Sequence, residues 1–152
     1  MKFIGAFLTI LLMITSTSCR SHASHVNKID SDSVKNMNKH ADKRCDTDPL
    51  VGESKGIKLL IDGKRNQLES ARLEIGFERY TKLNQEIGGY TAEYEILHAE
   101  LIRACRRLAE CEYKNRYRSE SDCYAAEKSY NDTRKLMLDF IVRVKELEIS
   151  KN

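Results

Sequence analysis

Tryptophan is absent from this chain and proline occurs once, at Pro49. Proline in a helix interior costs about 3 kcal/mol, so a chain nearly free of it is open to long helices. The same composition suits a sheet poorly. No apolar run reaches the roughly 20 residues that a bilayer-spanning helix needs. FIGAFLTILLMI, Phe3 to Ile14, has 12. A marked excess of charge of one sign is lacking too. The 26 Lys and Arg stand against 23 Asp and Glu, which argues neither for a nucleic-acid binder nor for an acidic tail.

The usual marks of catalysis are equally scarce. Downstream of residue 53 there is one histidine, His98, flanked by Ala99 and Glu100 and next to Leu97. That is the setting of a surface or seam-edge residue, not of a base beside a nucleophile. CRRLAEC puts five residues between Cys105 and Cys111, where a redox or zinc pair is usually CxxC. Gly88-Gly89 follows no strand and so is no phosphate-cradling loop. His22, His25 and His40 are solvated linker histidines rather than a metal cluster. Carboxylates alternate with Lys and Arg at helical spacing, the pattern of a solvated face. No enzyme, metal or cofactor is expected.

The chain begins with Met1-Lys2, a short basic start to the apolar run. Together they read as a secretory signal over residues 1–18, and the protein as exported. Export makes the five cysteines candidates for disulfides. Five is odd, and Cys19 stands apart at the signal boundary. Ser16-Thr17-Ser18-Cys19, directly after the apolar core, resembles a bacterial lipobox. In that signal the cysteine becomes the acylated first residue. Ser16 stands where lipoboxes usually carry leucine, and Thr17 and Ser18 meet the small-residue requirement. The resemblance covers only the first 19 residues or so. It implies lipidation at Cys19, palmitate among the acyl chains, and a lipoprotein of the bacterial outer membrane facing periplasm or surface, because Arg20 is no inner-membrane retention signal. Each buried acyl methylene contributes about 0.8 kcal/mol, so several chains hold firmly. The rival is cleavage after Ser21-His22-Ala23, which leaves a soluble secreted protein starting at Ser24. Asn131-Asp132-Thr133 is a glycosylation sequon that only a eukaryotic secreted form would use.

Residues 19–53 are rich in Ser, Asp, Asn and Lys, with sparse apolar residues. They read as a disordered linker carrying the lipid-attachment cysteine. A helical domain follows over residues 54–152. Ile61, Leu68 and Ile75 recur at seven, with Ala71 between, and Phe77, Tyr80, Leu83 and Ile87 continue a 3-4 spacing. Tyr90, Tyr94, Leu97, Leu101, Ala104, Leu108 and Cys111 form an unbroken heptad seam, which is coiled-coil-like. Ser119 with Asp122 resembles a capping box. It opens a helix with Tyr130, Met137, Phe140, Ile141, Val144 and Leu147 on one face. Gly88-Gly89 costs about 2 kcal/mol inside a helix, and a turn there gives three segments of nearly equal length, about 57–87, 90–116 and 122–149. The expected fold is therefore all-α, a three-helix up-down-up bundle. The alternative is one long helix plus a helical hairpin.

In that bundle Cys45, Cys105, Cys111 and Cys123 gather at one pole. Four cysteines allow three pairings. Cys105 and Cys111 are roughly 9 Å apart in helical rise and face different ways, which excludes a bond between them. Cys111 with Cys123 closes the turn most directly, and leaves Cys45 for Cys105. The same stretch, RACRRLAECEYKNRYR, forms a basic, tyrosine-bearing patch: Arg103, Arg106, Arg107, Tyr113, Lys114, Arg116, Tyr117 and Arg118. Such a pole suits anionic headgroups or an acidic protein. Dipole compensation at a helix end is the plainer account. The function expected is that of a binding module at the bacterial envelope. It is held to the membrane by its lipid and contacts another envelope or host protein, or anionic headgroups, but not nucleic acid. The alternative is a soluble secreted helical effector or a carrier of a small apolar ligand.

Overall fold

The computed structural model describes residues 31–118 and 122–149, with the side chains of Tyr117 and Arg118 excepted. The signal segment and Cys19 lie outside these residues. The described residues are all helical, with no strand, and form four helices rather than three. They are α1 (Ser31–Asp46), α2 (Pro49–Ala71), α3 (Phe77–Arg118) and α4 (Tyr124–Glu146).

The first correction is α1, which occupies sequence expected to be linker. Val34, Met37, Ala41 and Cys45 fall at steps of three and four, with Ala41 and Cys45 buried and the other two half-buried. This stripe is short and made of small or flexible side chains, so it cannot hold a helix alone. It is held by α3. Cys45 is bonded to Cys105, Arg44 Nε donates to Glu112 Oε2 at 3.3 Å, and Arg106 pairs with Asp42.

Thr47 and Asp48 separate α1 from α2. Asp48 caps α2: its Oδ1 accepts from the amides of Leu50 at 2.9 Å and Val51 at 3.2 Å, and Pro49 fills the first helical position. Proline fits there because the amide it lacks would have had no helical partner. The helix thus starts eight residues before Ile57, where the apolar period first becomes plain in the sequence. Leu50, Val51, Ile57, Ile61 and Leu68 form its buried face.

The second correction concerns the turn. The chain reverses over Arg72–Gly76, not at Gly88-Gly89. Gly76 has φ +77°, a left-handed conformation that costs any other residue about 1–2 kcal/mol. α3 runs through Gly88-Gly89 without a break. The physical reason is its stripe. Tyr80, Leu83, Ile87, Tyr90, Tyr94, Leu97, Leu101, Ala104, Leu108 and Cys111 alternate steps of three and four across the glycines with no slip. Each large side chain buried contributes about 1.5–3 kcal/mol, which outweighs two helical glycines. Phe77, expected to continue the stripe, is instead 83% exposed, and Leu73 in the turn is 97% exposed.

At about 1.5 Å per residue α3 is roughly 60 Å long, and it is the spine of the fold. All three other helices pack on it. The contacts Cys45–Cys105 and Arg106–Asp42 run α1 antiparallel to α3 along its C-terminal third. Ser54–His98 and Lys58–Glu95 do the same for α2 further along. Cys111–Cys123 and Tyr90–Phe140, with ring centroids 6.0 Å apart, set α4 antiparallel as well. Asp122 Oδ1 accepts from the Tyr124 amide at 2.9 Å where α4 begins, and Ser119 lies outside the described residues. Phe140, Met137 and Val144 of α4 are fully buried with Leu68, Ile87 and Leu101.

Candidate functional site

The C-terminal third of α3 carries both disulfides. Cys45–Cys105 has a Cα separation of 5.9 Å and is buried on both sides. Cys111–Cys123 has a Cα separation of 5.7 Å and is half-buried. All four cysteines of the described residues are used, in the pairing that the spacing favoured.

The basic residues of this third do not form one patch. α1 takes part of it. Arg106 pairs with Asp42, and the Tyr113 ring lies 5.5 Å from that of His40. Arg44 of α1 adds a cation but spends it on Glu112, and the carboxylate beside it raises the guanidinium pKa further. These pairs are solvent-accessible and contribute little to stability. They do remove charge from the surface. Lys114 and Arg116 stay exposed. Tyr117 and Arg118 end α3, and their side chains lie outside the described residues.

Arg103 and Arg107 are placed differently. They sit one turn apart on α3 and line a cavity of about 260 Å³ shared with Glu100 and Ala104 of α3 and with Ser129 and Thr133 of α4. Both arginines are exposed, and neither has an ion-pair or hydrogen-bond partner among the described residues. The Thr133 hydroxyl donates to the Ser129 carbonyl at 2.9 Å. The Ser129 hydroxyl has no partner among the described residues.

A larger cavity, about 690 Å³, opens where α1, α3 and α4 meet, lined among others by Arg44, Arg116, Glu127, Tyr130 and Asn131. At its inner edge the Tyr130 hydroxyl donates to Asp48 Oδ2. Burial, and next this hydrogen bond to a carboxylate, push the Tyr130 phenol up to about 12. One carboxylate therefore caps α2 with one oxygen and ties α4 with the other. Asp48-Pro49 before an apolar run is a signal for the cap, since it marks a helix start. Nothing in the sequence pointed to Tyr130 as the partner.

His98 is half-buried beside the buried Leu97, at the edge of the seam. Its Nδ1 lies 2.9 Å from Ser54 Oγ, and its ring stacks on Tyr94 with centroids 5.2 Å apart. Ser54 Oγ also donates to the Val51 carbonyl at 2.8 Å. A serine has one proton, so with that proton on Val51 the Nδ1–H of His98 is the donor and Nε2 is left bare. Burial lowers the His98 pKa, and Lys55 and Lys58 lower it further against Glu95. A serine beside a histidine has the makings of an activated nucleophile. Ser54 is 0% exposed, however, so its oxygen is out of reach of a substrate. The pair clasps α2 to α3.

Among the described residues no group of three or more His, Cys, Asp or Glu is placed to hold a metal ion. No described helix is long and apolar enough to cross a membrane. No family model matches the chain, and neither a curated protein nor a solved structure matches it.

Proposed function

We propose that this chain is an exported, lipid-anchored helical protein of the bacterial envelope, not an enzyme, that binds a partner through the pole formed by the C-terminal third of α3. The observation that carries the reading is the cysteine pairing. Cys45–Cys105 and Cys111–Cys123 use four of the five cysteines, so Cys19 has no partner left within the chain. A fifth cysteine directly after an apolar run and three small hydroxyl residues is placed for acylation. Disulfides of this number also suit an oxidising compartment.

The tether enters the domain through α1, and α1 lies on the C-terminal third of α3. The N-terminus of α1 and the basic pole therefore belong to the same end of the spine, which favours anionic groups at the membrane surface as the first contact. A carrier of apolar ligands is less favoured, because the larger cavity is rimmed by arginine and glutamate side chains. The soluble secreted alternative keeps one supporting observation, the exposed Asn131 of the sequon on α4.

Mass spectrometry of the mature, unreduced protein tests the reading, together with labelled palmitate incorporation. Expected are an acylated N-terminal Cys19 and two intact disulfides. A mature N-terminus at Ser24 without label would overturn the anchor, and added glycan mass at Asn131 would establish the secreted alternative.

A further inference from the structure

We propose that the groove between α3 and α4 at Arg103, Arg107 and Ser129 is a binding site for a phosphoryl group, a phosphate monoester or diester. The inference rests on the reading of the basic pole as the binding region and names the site and ligand chemistry within it.

Some cations near this pole are already engaged, and Lys114 and Arg116 stay exposed outside this cavity. Arg106 has Asp42, Arg44 has Glu112, and further along α4 Arg143 has Glu93. Arg103 and Arg107 have no such partner among the described residues, although they face a shared cavity of about 260 Å³. Their spacing of four places both guanidinium groups on one side of α3. The antiparallel register fixed by Cys111–Cys123 and Tyr90–Phe140 brings Ser129 and Thr133, also four apart, to the opposite wall. Two planar forks on one wall and hydroxyls on the other match a tetrahedral oxyanion. Guanidinium groups bind phosphate oxygens through paired hydrogen bonds. The Ser129 hydroxyl can donate a further bond. Thr133 cannot, because its proton is committed to the Ser129 carbonyl, so it offers only acceptor lone pairs, to a protonated ligand oxygen or to water. Glu100 lines the same cavity and opposes an anion. The cavity carries two cations to one carboxylate, which leaves it attractive to a phosphoryl group and improvable.

That composition gives a test with opposite signs. Binding is measured with the full chain, first by titrating inorganic phosphate while following the arginine side-chain NMR signals. In the second arm the protein sediments with phosphatidylcholine vesicles with and without phosphatidic acid, and the increment due to phosphatidic acid is compared. Arg103→Gln and Arg107→Gln should each weaken binding about tenfold, the usual scale for a hydrogen bond to a charged group. Glu100→Gln should strengthen it. Lys82→Gln, near the far end of α3, should leave it unchanged. The substituted side chains are exposed, and an unchanged circular dichroism melt verifies the fold. Shifts with inorganic phosphate alone identify a free oxyanion as the ligand, and a vesicle increment that follows the same variants identifies a lipid headgroup. Either supports the site. Loss of the increment in Arg116→Gln but not in Arg103→Gln or Arg107→Gln overturns the groove and leaves the basic-pole reading standing. No phosphate shifts and no increment overturn both the groove and the anionic-surface contact.

Discussion

Asp48 ties two helices through one side chain. One oxygen caps α2 and the other receives the Tyr130 hydroxyl of α4. Asp48→Ala removes the cap, worth about 0.5–2 kcal/mol, and leaves a buried phenol unpaired at about 1–3 kcal/mol, so a loss of roughly 3 kcal/mol is expected. Asp48→Asn keeps the acceptor for the cap amides and turns an amide donor toward the Tyr130 oxygen, so it should lose less than Asp48→Ala. Equal losses in chemical denaturation would show that the carboxylate's charge matters rather than its hydrogen bonds. The phenol itself sets an alkaline limit. Its folded-state pKa of about 12 lies above the ordinary value of 10, so the fold favours the neutral form. The stability linked to it is complete below pH 10 and is lost as pH rises from 10 towards 12. Tyr130→Phe should flatten the stability profile in that window, and an unchanged slope there would refute the assignment. His98 acts at the acid side with the opposite sense. Its pKa in the fold is below the ordinary 6.5, so the unfolded chain binds the proton more readily. Stability from the neutral ring is present above pH 6.5 and is lost as pH falls from there through the folded-state value. Comparing His98→Gln with the parent chain between pH 7 and pH 5 isolates this contribution from the carboxylates. Parallel profiles would sink it. Neither residue was legible as such. His98 reads as surface or seam-edge from its place beside Leu97, and what the sequence does not show is the crossing of α2 that brings Ser54 to its ring.

Helix α3 shows where local preference and packing part company. Read locally, two adjacent glycines end a helix; in the structure the stripe from Tyr80 to Cys111 carries α3 across them. Both glycines are exposed, and a Cβ at either would meet nothing within 4 Å. Gly88→Ala and Gly89→Ala should therefore each stabilise the protein by about 0.5–1 kcal/mol, through a smaller entropy loss on folding. Gly76→Ala should do the reverse by about 1–2 kcal/mol, because alanine is strained at φ +77° although space is open there too. Thermal melts of the three variants decide it; a lowered midpoint for Gly88→Ala would mean that α3 is interrupted there. Much of the core was legible in the same way. The buried faces of α3 and α4 follow an apolar period of long side chains, from Leu83 to Leu108 and from Tyr130 to Val144. The turn was misplaced because a glycine pair is a stronger local signal than the single Gly76 that makes the reversal. α1 was illegible for a different reason. Its buried residues are Ala41 and Cys45, and what orders it are partners sixty or more positions away, Cys105, Arg106 and Glu112. The basic patch was legible as composition, but its division into engaged and open cations follows from where α1 lies.

For the molecule as a whole the two disulfides have different tasks, and removing each should fail a different part. Cys45–Cys105 spans 60 positions and Cys111–Cys123 spans 12. Loop-closure entropy alone assigns them about 4 and about 3 kcal/mol. That difference is small, but what each holds is not alike. α4 has Tyr130, Met137, Phe140, Ile141 and Val144 buried against the spine, so it stays docked without Cys111–Cys123. α1 has Ala41, Cys45 and accessible ion pairs, so without its disulfide little remains to oppose the entropy of releasing it. Replacing Cys45 and Cys105 together by serine should therefore abolish amide-exchange protection over Ser31–Asp46, with helicity falling by about one part in six or seven across the described helices. Protection in α2, α3 and α4 should persist, since Asp48 caps α2 from within the bundle. Replacing Cys111 and Cys123 should lower the global unfolding free energy by about 3 kcal/mol and leave α1 protected relative to the rest. The half-buried Cys111–Cys123 should also be the first to yield to mild reductant, and the buried Cys45–Cys105 the last. If α1 stays protected in the Cys45/Cys105 variant, it is held by contacts stronger than those described. If it is released, the disulfide is what joins α1 to the spine: reduction would free α1 from the C-terminal third of α3 while leaving the α2–α3 turn, about 40 Å along α3 from Cys105, unchanged.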